Sequence, residues 1–270
     1  MQRRALLAAT LAAPALPHAL RAQETWPNRS VSVLLGYPPG GVTDFGARGI
    51  VDRMGRELGQ TLVVDNRPGA ATAVANNAAA QARPDGYTLL MGTSTLAINP
   101  ALQPNLQPRD PVAALTPIGT VFRTAFILHV HPSLPVRSTA ELIAYAKANP
   151  RKLTYASGGN GSGQHVLAAA LWQLAGVELV HVPYRGAQAA YQDLLGGRVD
   201  LFFDLSPTAR GQIDGGTLKA LAVSGSNRLA FHPDVPTITE TGVAALELES
   251  WFGLFAPAKV QAEADLSTRL

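Results

Sequence analysis

Short runs of apolar and β-branched residues alternate with helical patterns along nearly the whole chain. The first run, Val31–Gly36, is followed by a turn and then by apolar residues from Ala47 to Leu58 at the i, i+3, i+4, i+7 spacing of one buried helix face. The same order returns further along, up to the runs Leu201–Asp204 and Lys219–Val223. Strands that alternate with helices in this way predict an α/β fold with parallel sheets.

The alternation is interrupted once, by the proline-rich connection Pro100–Pro117. We expect the chain to cross from one lobe to another after this connection and to cross back near 224–228. The predicted lobes are residues 23–123 plus 226–270, and residues 124–225. Ligands of open α/β sheets bind beyond the carboxyl ends of the strands, so the strand-to-helix loops are the segments to search for a site.

The N-terminus has the three-part layout of a secretory leader. The pair Arg3-Arg4 precedes the apolar stretch Ala5–Leu16, and small residues lead to Ala22. We therefore expect a signal peptide of residues 1–22 and export to the periplasm, with the arginine pair leaving a twin-arginine route open. A buried N-terminal helix is the alternative, but the two prolines of the stretch disfavour it.

The excess of basic residues lies in this leader. The sequence has 22 Lys and Arg against 19 Asp and Glu, and the leader holds three arginines and no acid, so the rest of the chain is formally neutral. Neither a basic stripe nor an apolar run of membrane-spanning length follows the leader, which argues against nucleic-acid binding and against a membrane-embedded protein. The chain has no cysteine, which excludes disulfides and a lipoprotein anchor.

The first loop of interest follows the first strand and runs from Tyr37 to Asp44. Its prolines stiffen the turn, and Gly40 and Gly41 permit backbone angles that other residues resist. Backbone N–H groups at the start of the next helix would then favour an anion without a basic side chain. The alternative is a tight turn in which Thr43 or Asp44 caps the helix, and the two interpretations are compatible.

The matching loop of the second lobe starts at Ser157, includes Gly158 and Gly161, and ends at Ser162 and His165. Its four glycines and two serines between a strand and a helix favour a nest of amide donors. Ser162 can cap the helix or donate to a carboxylate. A flexible loop remains the alternative, and His165 is as compatible with a structural role as with ligand contact.

Three further strand ends supply weaker candidates for ligand contact. Thr93, Ser94 and Thr95 place three hydroxyls at the end of one strand, and Tyr184-Arg185 and Asp204 end strands of the second lobe. Asp204 could accept from a ligand hydroxyl or ammonium or could cap a helix, and the arginine could pair with a second carboxylate or be solvated.

Motifs that would indicate catalysis or a cofactor are missing. The sequence has no G-x-S-x-G elbow, phosphate-loop lysine, H-E-x-x-H motif or dinucleotide fingerprint, and we predict no cofactor, metal or enzymatic activity. The alternative is an exported hydrolase with Ser162 or Ser94 as nucleophile and His165 close to Ser162. A third possibility is a structural or sensory module with an occluded cleft.

Taken in order, these loops resemble the substrate-binding proteins of tripartite tricarboxylate transporters, the Bug family. The resemblance spans roughly Trp26 to Pro257. The matching stretches are Tyr37–Gly41 with Asp44 and Ala47-Arg48, Val64–Ala70, Pro84–Leu90, Tyr155–Ser162 with His165, His181–Gly186, Asp193–Gly197 with Val199-Asp200, Pro233–Thr237 with Glu240, and Trp251–Leu254.

The resemblance implies a two-lobed periplasmic-binding-protein fold of type II, the Venus-flytrap arrangement, and capture of a small organic acid for a membrane transporter or a sensor. By analogy, residues 37–44 and 157–165 would hold the proximal carboxylate, and Thr93–Thr95, Tyr184 and Asp204 would line the variable side. We expect a monomer.

The chain departs from the family in two places. Thr72 and Ala75 stand where glycine is common in the family. Members also continue for several tens of residues beyond the position of Leu270, so the resemblance implies that the C-terminal helices, which cover the first lobe, are truncated here.

Overall fold

The computed structural model of the protein describes residues 26–260. The expected signal peptide, residues 1–22, and the segment 261–270, on which the expectation of a truncated helix falls, lie outside the described residues. Between residues 26 and 260, no helix is both long enough and apolar enough to cross a membrane.

Nine strands and eight helices build the described part of the chain. The strands are β1 (Val31–Leu35), β2 (Leu62–Asn66), β3 (Thr88–Thr93), β4 (Leu115–Val130), β5 (Thr154–Ser157), β6 (Val180–Pro183), β7 (Leu201–Leu205), β8 (Lys219–Val223) and β9 (Glu249–Pro257). The helices are α1 (Val42–Leu58), α2 (Ala73–Ala80), α3 (Thr95–Leu102), α4 (Pro111–Ala114), α5 (Thr139–Ala148), α6 (Gly163–Ala175), α7 (Ala187–Leu195) and α8 (Ser206–Asp214).

The strands form two sheets that share β4. In the first sheet the order is β2-β1-β3-β9-β4, with β1 parallel to both of its neighbours and β9 antiparallel to β3 and β4. In the second sheet β4 continues into β7-β5-β6, and β8 also pairs with β4. Each sheet with its helices is one lobe, so the predicted α/β fold of two lobes is confirmed.

Strand β4 is the first crossing between the lobes. Its residues Leu115–Ala125 pair with β9, Phe126–Val130 pair with β7, and Ile127–Val130 also pair with β8. Ser224 ties the returning chain to this point, because its N–H donates to the Phe126 carbonyl over 2.9 Å and its Oγ accepts from the Phe126 N–H over 2.9 Å. Leu248 then donates to the Ser224 carbonyl over 2.8 Å. The lobe boundaries at 123/124 and 225/226 stay a prediction.

The proline-rich connection 100–117 contains helical residues that the sequence interpretation did not predict. Two helices, α3 and α4, occupy part of this segment. Pro111 is the first residue of α4, where the missing N–H costs nothing, and Asp110 caps the helix by accepting from Ala113 over 3.0 Å. Pro100 lies inside the short helix α3. Helix α8 begins where the sequence left open a helix capped by Asp204, but Leu205 occupies its N-cap position, and Pro207 stands in its first turn.

Three consecutive non-glycine residues adopt left-handed backbone angles just before α2. The φ values of Ala70, Ala71 and Thr72 are 46°, 49° and 71°. The angle at Thr72 gives a physical reason why glycine would suit this position. The buried Thr72 offsets part of the strain, because its Oγ1 hydrogen-bonds to Thr95 over 2.6 Å and accepts from Asn76 over 3.1 Å.

The close approach of Gly36 to Thr72 generates a stability prediction. A Cβ at Gly36 would lie 2.5 Å from the Cβ and 2.8 Å from the Cα of Thr72, so Gly36→Ala should lower the free energy of unfolding by about 1–3 kcal/mol. Gly49→Ala is the matched control, because its Cβ meets nothing on the exposed face of α1. It should stabilise by about 0.5–1 kcal/mol. Urea unfolding of both variants measures the difference, and equal stabilities would contradict this packing.

Candidate ligand-binding site

Two adjoining cavities lie where loops of the two lobes face each other, one of about 130 Å³ and one of about 510 Å³. Five residues line both of them, namely Tyr37, Pro38, Gly158, Arg185 and Gly186. The lobes also touch directly, because Gln103 Nε2 donates to the Asn160 carbonyl over 3.1 Å. The two predicted glycine loops therefore lie on opposite sides of one cleft.

The predicted site residues divide into three groups. The smaller cavity is lined by Tyr37, Gly41, Ser94, Gly158 and Asp204. The larger cavity is lined by Thr95, Ser162 and Tyr184, together with the shared residues Tyr37 and Gly158. Neither cavity is lined by Gly40, Asp44, Thr93, Ser157, Gly161 or His165, which instead make contacts within their own lobe.

Asp44 anchors the first loop. Its carboxylate accepts from the Gly40 N–H over 3.0 Å, from Arg48 at both oxygens over 2.9 and 3.0 Å, and from Asn66 over 2.9 Å. Burial alone would raise the pKa of Asp44, but these hydrogen bonds hold it below its usual value. The sequence left open whether Asp44 caps α1. It does not, because Gly41 occupies the N-cap position of this helix.

The N-termini of several helices meet at the smaller cavity. The cavity is lined by Gly41–Thr43 at the start of α1, by Ser94 at α3, by Gly186–Gln188 at α7, and by Leu205 and Thr208 at α8. None of these four N-termini has a side-chain cap. The first N–H groups of a helix have no partner within the helix and carry its positive end, so their convergence favours an anion.

The second glycine loop contributes fewer free donors than the sequence predicted. Its amides at Gly158, Gly159 and Gly161 donate to side chains of the same loop and helix, namely Gln164 Oε1 (3.3 Å), Ser157 Oγ (3.1 Å) and His165 Nδ1 (3.2 Å). Ser162 caps α6 by accepting from the His165 N–H over 3.3 Å. On this side of the cleft, the start of α7 has no side-chain cap, and the sequence signal for this helix start is Gly186, whose φ is 100°.

Hydrogen-bonded hydroxyl groups hold the first lobe's side of the cleft in place. Tyr37, Thr93 and Thr95 are linked by oxygen–oxygen distances of 3.4 and 2.8 Å, and the chain continues to Thr72. Burial raises the pKa of the Tyr37 hydroxyl. The hydroxyls of Thr93 and Thr95 are thus engaged internally, and Ser94, between them, is the one of the three that lines the smaller cavity.

Asp204 is the acidic residue of the smaller cavity, and it is only 1% exposed. Its Oδ1 accepts from Gln164 Nε2 over 3.0 Å, whereas its Oδ2 has no hydrogen-bond partner among the described residues. Burial raises the pKa of Asp204 to about 6, against the lowering effect of the Leu205 N–H and Gln164. Gln164, which the sequence interpretation did not single out, connects this carboxyl to the glycine loop.

Two histidines stack beneath the second glycine loop, with ring centroids 4.1 Å apart at His165 and His181. Burial lowers the pKa of both imidazole rings. For His181 the neighbouring His165 adds to this effect, and the pKa of His181 falls to about 4. His181 Nε2 lies 2.6 Å from Ser157 Oγ, a pair that the sequence interpretation missed. Ser157 is fully buried and lines neither cavity, so the pair holds the loop in place.

The hydrolase alternative finds no support in this arrangement. Ser162 Oγ accepts from the backbone N–H of His165, and the His165 ring accepts from Gly161 instead. Residues 26–260 contain no group of three His, Asp or Glu side chains placed to hold a metal ion.

Arg185 and Tyr184 lie at the entrance of the cavities. Arg185 is exposed, lines both cavities and makes no ion pair within the described part of the chain. The Tyr184 hydroxyl donates to Asp193 over 2.8 Å, and burial together with this carboxylate raises its pKa to about 12.

Comparison with known proteins places the chain in a family. Residues 47–265 match the model of the tripartite tricarboxylate transporter family receptor. The chain belongs to this family. As a member of the receptor family it is a binding protein, and the prediction that it is not an enzyme is confirmed.

Three solved structures are similar to this family member over 90% of its chain. The periplasmic binding protein BugD has a TM-score of 0.84 at 33% identity, with 82% of its own chain covered. R. palustris Rpa4515 with adipate has a TM-score of 0.85 at 36% identity and 82% coverage. MatC from Rhodopseudomonas palustris with bound malate has a TM-score of 0.84 at 32% identity and 83% coverage. The resemblance to Bug proteins and to their fold is confirmed.

The raised pKa of Asp204 predicts an unusual pH dependence of stability. Between the ordinary value of 3.8 and about 6, the folded state keeps a proton that the unfolded state has released, so stability falls as the pH rises through this window. Asp204→Asn should therefore raise the free energy of unfolding by roughly 3 kcal/mol at pH 8, and this gain should shrink towards pH 4. Urea unfolding at both pH values measures it.

Asp214→Asn is the matched control for this measurement. Asp214 is half exposed on α8 and pairs with Arg210, so its removal should change stability by less than about 0.5 kcal/mol. A destabilised Asp204→Asn variant at pH 8 would contradict the unpaired buried carboxylate.

Proposed function

We propose that the protein is a periplasmic solute-binding protein that captures a small organic acid between its lobes and delivers it to the membrane subunits of a tripartite tricarboxylate transporter or to a sensor. The observation that carries the proposal is the meeting of four uncapped helix N-termini at one interlobe cavity. Partial positive charge from four directions suits a carboxylate better than a neutral sugar or a cation.

The similar structures support the same ligand class. One holds adipate and another holds malate, both of which are carboxylic acids, and each is more than 30% identical to this chain. In this protein, we infer that the carboxylate lies against the starts of α1 and α7, near Gly41 and Gly186. Ser94 would donate a hydroxyl from the first lobe, and Arg185 would add a positive charge at the entrance.

Capture and release require the lobes to move apart. The two segments that join the lobes, β4 and the chain around Ser224, are where we place the hinge. The signal peptide expected at residues 1–22 would deliver the protein to the periplasm, and a monomer suffices because both walls of the cleft come from one chain.

A thermal-shift screen tests the proposed function. Mono-, di- and tricarboxylates at millimolar concentration should include at least one that raises the melting temperature by several degrees, because a ligand that binds only the folded state stabilises it. Neutral sugars and divalent cations are the matched negative set. Stabilisation by sugars or cations with none by any acid would refute carboxylate capture.

Gly41→Leu tests the location of the site. The φ of Gly41 is −84°, which any residue can adopt, and a Cβ there meets no atom within 4 Å, so the new side chain should enter the cavity without unfolding the loop. We expect affinity for the acid found in the screen to fall at least 100-fold in calorimetric titration. Gly49→Leu, an equally open position on the exposed face of α1, should bind like the wild type. If Gly41→Leu binds this acid with unchanged affinity, the ligand-binding site does not lie at Gly41.

A further inference from the structure

One polar atom on the wall of the smaller cavity has no partner. Asp204 lies at the end of β7, where Oδ1 accepts from Gln164 while Oδ2 accepts from no group among residues 26–260. The side chain is 1% exposed, and the residue lines the smaller cavity. A buried acceptor without a donor costs free energy that a ligand could restore by supplying one.

The donors nearest to Asp204 leave this position open. The Tyr191 hydroxyl and Thr208 lie close enough to lower the pKa of Asp204, but neither makes a hydrogen bond of normal geometry with it. Arg185, the cation that lines the same cavity, makes no ion pair with this carboxyl. The cavity thus combines an acceptor on one wall with converging helix N-termini that attract an anion.

We propose that Asp204 selects for carboxylic acids that also carry a hydrogen-bond donor, an ammonium or a hydroxyl group. The inference rests on the proposed function, since it concerns which acid the cleft captures. An amino or hydroxy acid would place its carboxylate at the helix N-termini and its donor on Asp204 Oδ2. An ionised carboxylate can only accept hydrogen bonds, so an acid without such a donor leaves Oδ2 unpaired.

The proposal implies opposite effects of pH for the two classes of acid. Below about pH 6 the Asp204 carboxyl is protonated and can itself donate to a ligand carboxylate. Acids without a donor should therefore bind more tightly as the pH falls through 6, and ammonium-bearing acids less tightly.

The other titratable groups around Asp204 are accounted for. On the elements that pack against β7, Tyr191 faces Asp204 from α7, and His129 of β4 stacks on Tyr191 with its pKa lowered to about 4 by burial. On α8, Arg210 and Asp214 pair with each other. On α6 and β5, His165 and Tyr155 both stack on His181, and Asp193 of α7 pairs with Arg198.

The experiment compares acids that differ in one substituent. L-aspartate, L-malate and succinate share a four-carbon skeleton, and L-alanine, L-lactate and propionate share a three-carbon one. Calorimetric titration of the wild type at pH 7.5 should favour a substituted acid at least tenfold over the unsubstituted member of its set. In Asp204→Asn, which the stability argument expects to fold well, the preference should shrink to threefold or less, and Asp214→Asn should retain it.

The pH effect is measured with the unsubstituted acid that binds best. Its affinity for the wild type relative to Asp204→Asn should rise several-fold between pH 7.5 and 5.5, and the ratio removes the titration of the ligand itself. Equal affinities within both sets, or a preference that survives in Asp204→Asn, would overturn the role of Asp204 while leaving acid capture intact. If no acid binds, the proposed function fails first.

Discussion

The continuous strand β4 is the constraint on which the rest of the molecule depends. Residues Leu115–Ala125 belong to one sheet and Phe126–Val130 to the other, so one strand fixes the relative direction of both lobes. Ser224, on the returning chain, provides a second connection at this point, because it hydrogen-bonds to both the N–H and the carbonyl of Phe126. The positions of the loops at the strand ends follow from this geometry. Segments far apart in the sequence, such as Gln103 and Asn160, therefore meet across the cleft.

Most of the helices that begin at the smaller cavity lack a side-chain cap. Helices α4, α5 and α6 have side-chain caps at Asp110, Ser138 and Ser162. Helix α6 also begins at the smaller cavity, whereas the other four helices that begin there, α1, α3, α7 and α8, have no side-chain cap. Backbone donors that a capping side chain would otherwise occupy remain for a ligand. Residues 23–270 are formally neutral, so the proposed attraction of an anion would need little help from basic side chains.

The sequence predicted the fold better than the site, for a physical reason. Strand and helix periodicity is local, and for that reason β1, α1 and β8 begin or end within a residue or so of the positions that their patterns indicated. Whether an amide is free depends on its partners in three dimensions. The sequence could not reveal that Asp44 occupies the Gly40 N–H or that Gln164 occupies the Gly158 N–H. The sequence therefore indicated the helix start after the first loop, but it overestimated the number of free amides in the second glycine loop.

Asp204 shows how stability and recognition oppose each other at this cleft. A buried carboxylate with a pKa raised to about 6 costs the folded protein on the order of 3 kcal/mol at neutral pH. Asparagine would avoid this cost and could keep the hydrogen bond from Gln164. Only a carboxylate, however, presents both a charge and an unpaired acceptor to a ligand. An acid that supplies the missing donor to Asp204 would recover this free energy, which would then contribute to its binding.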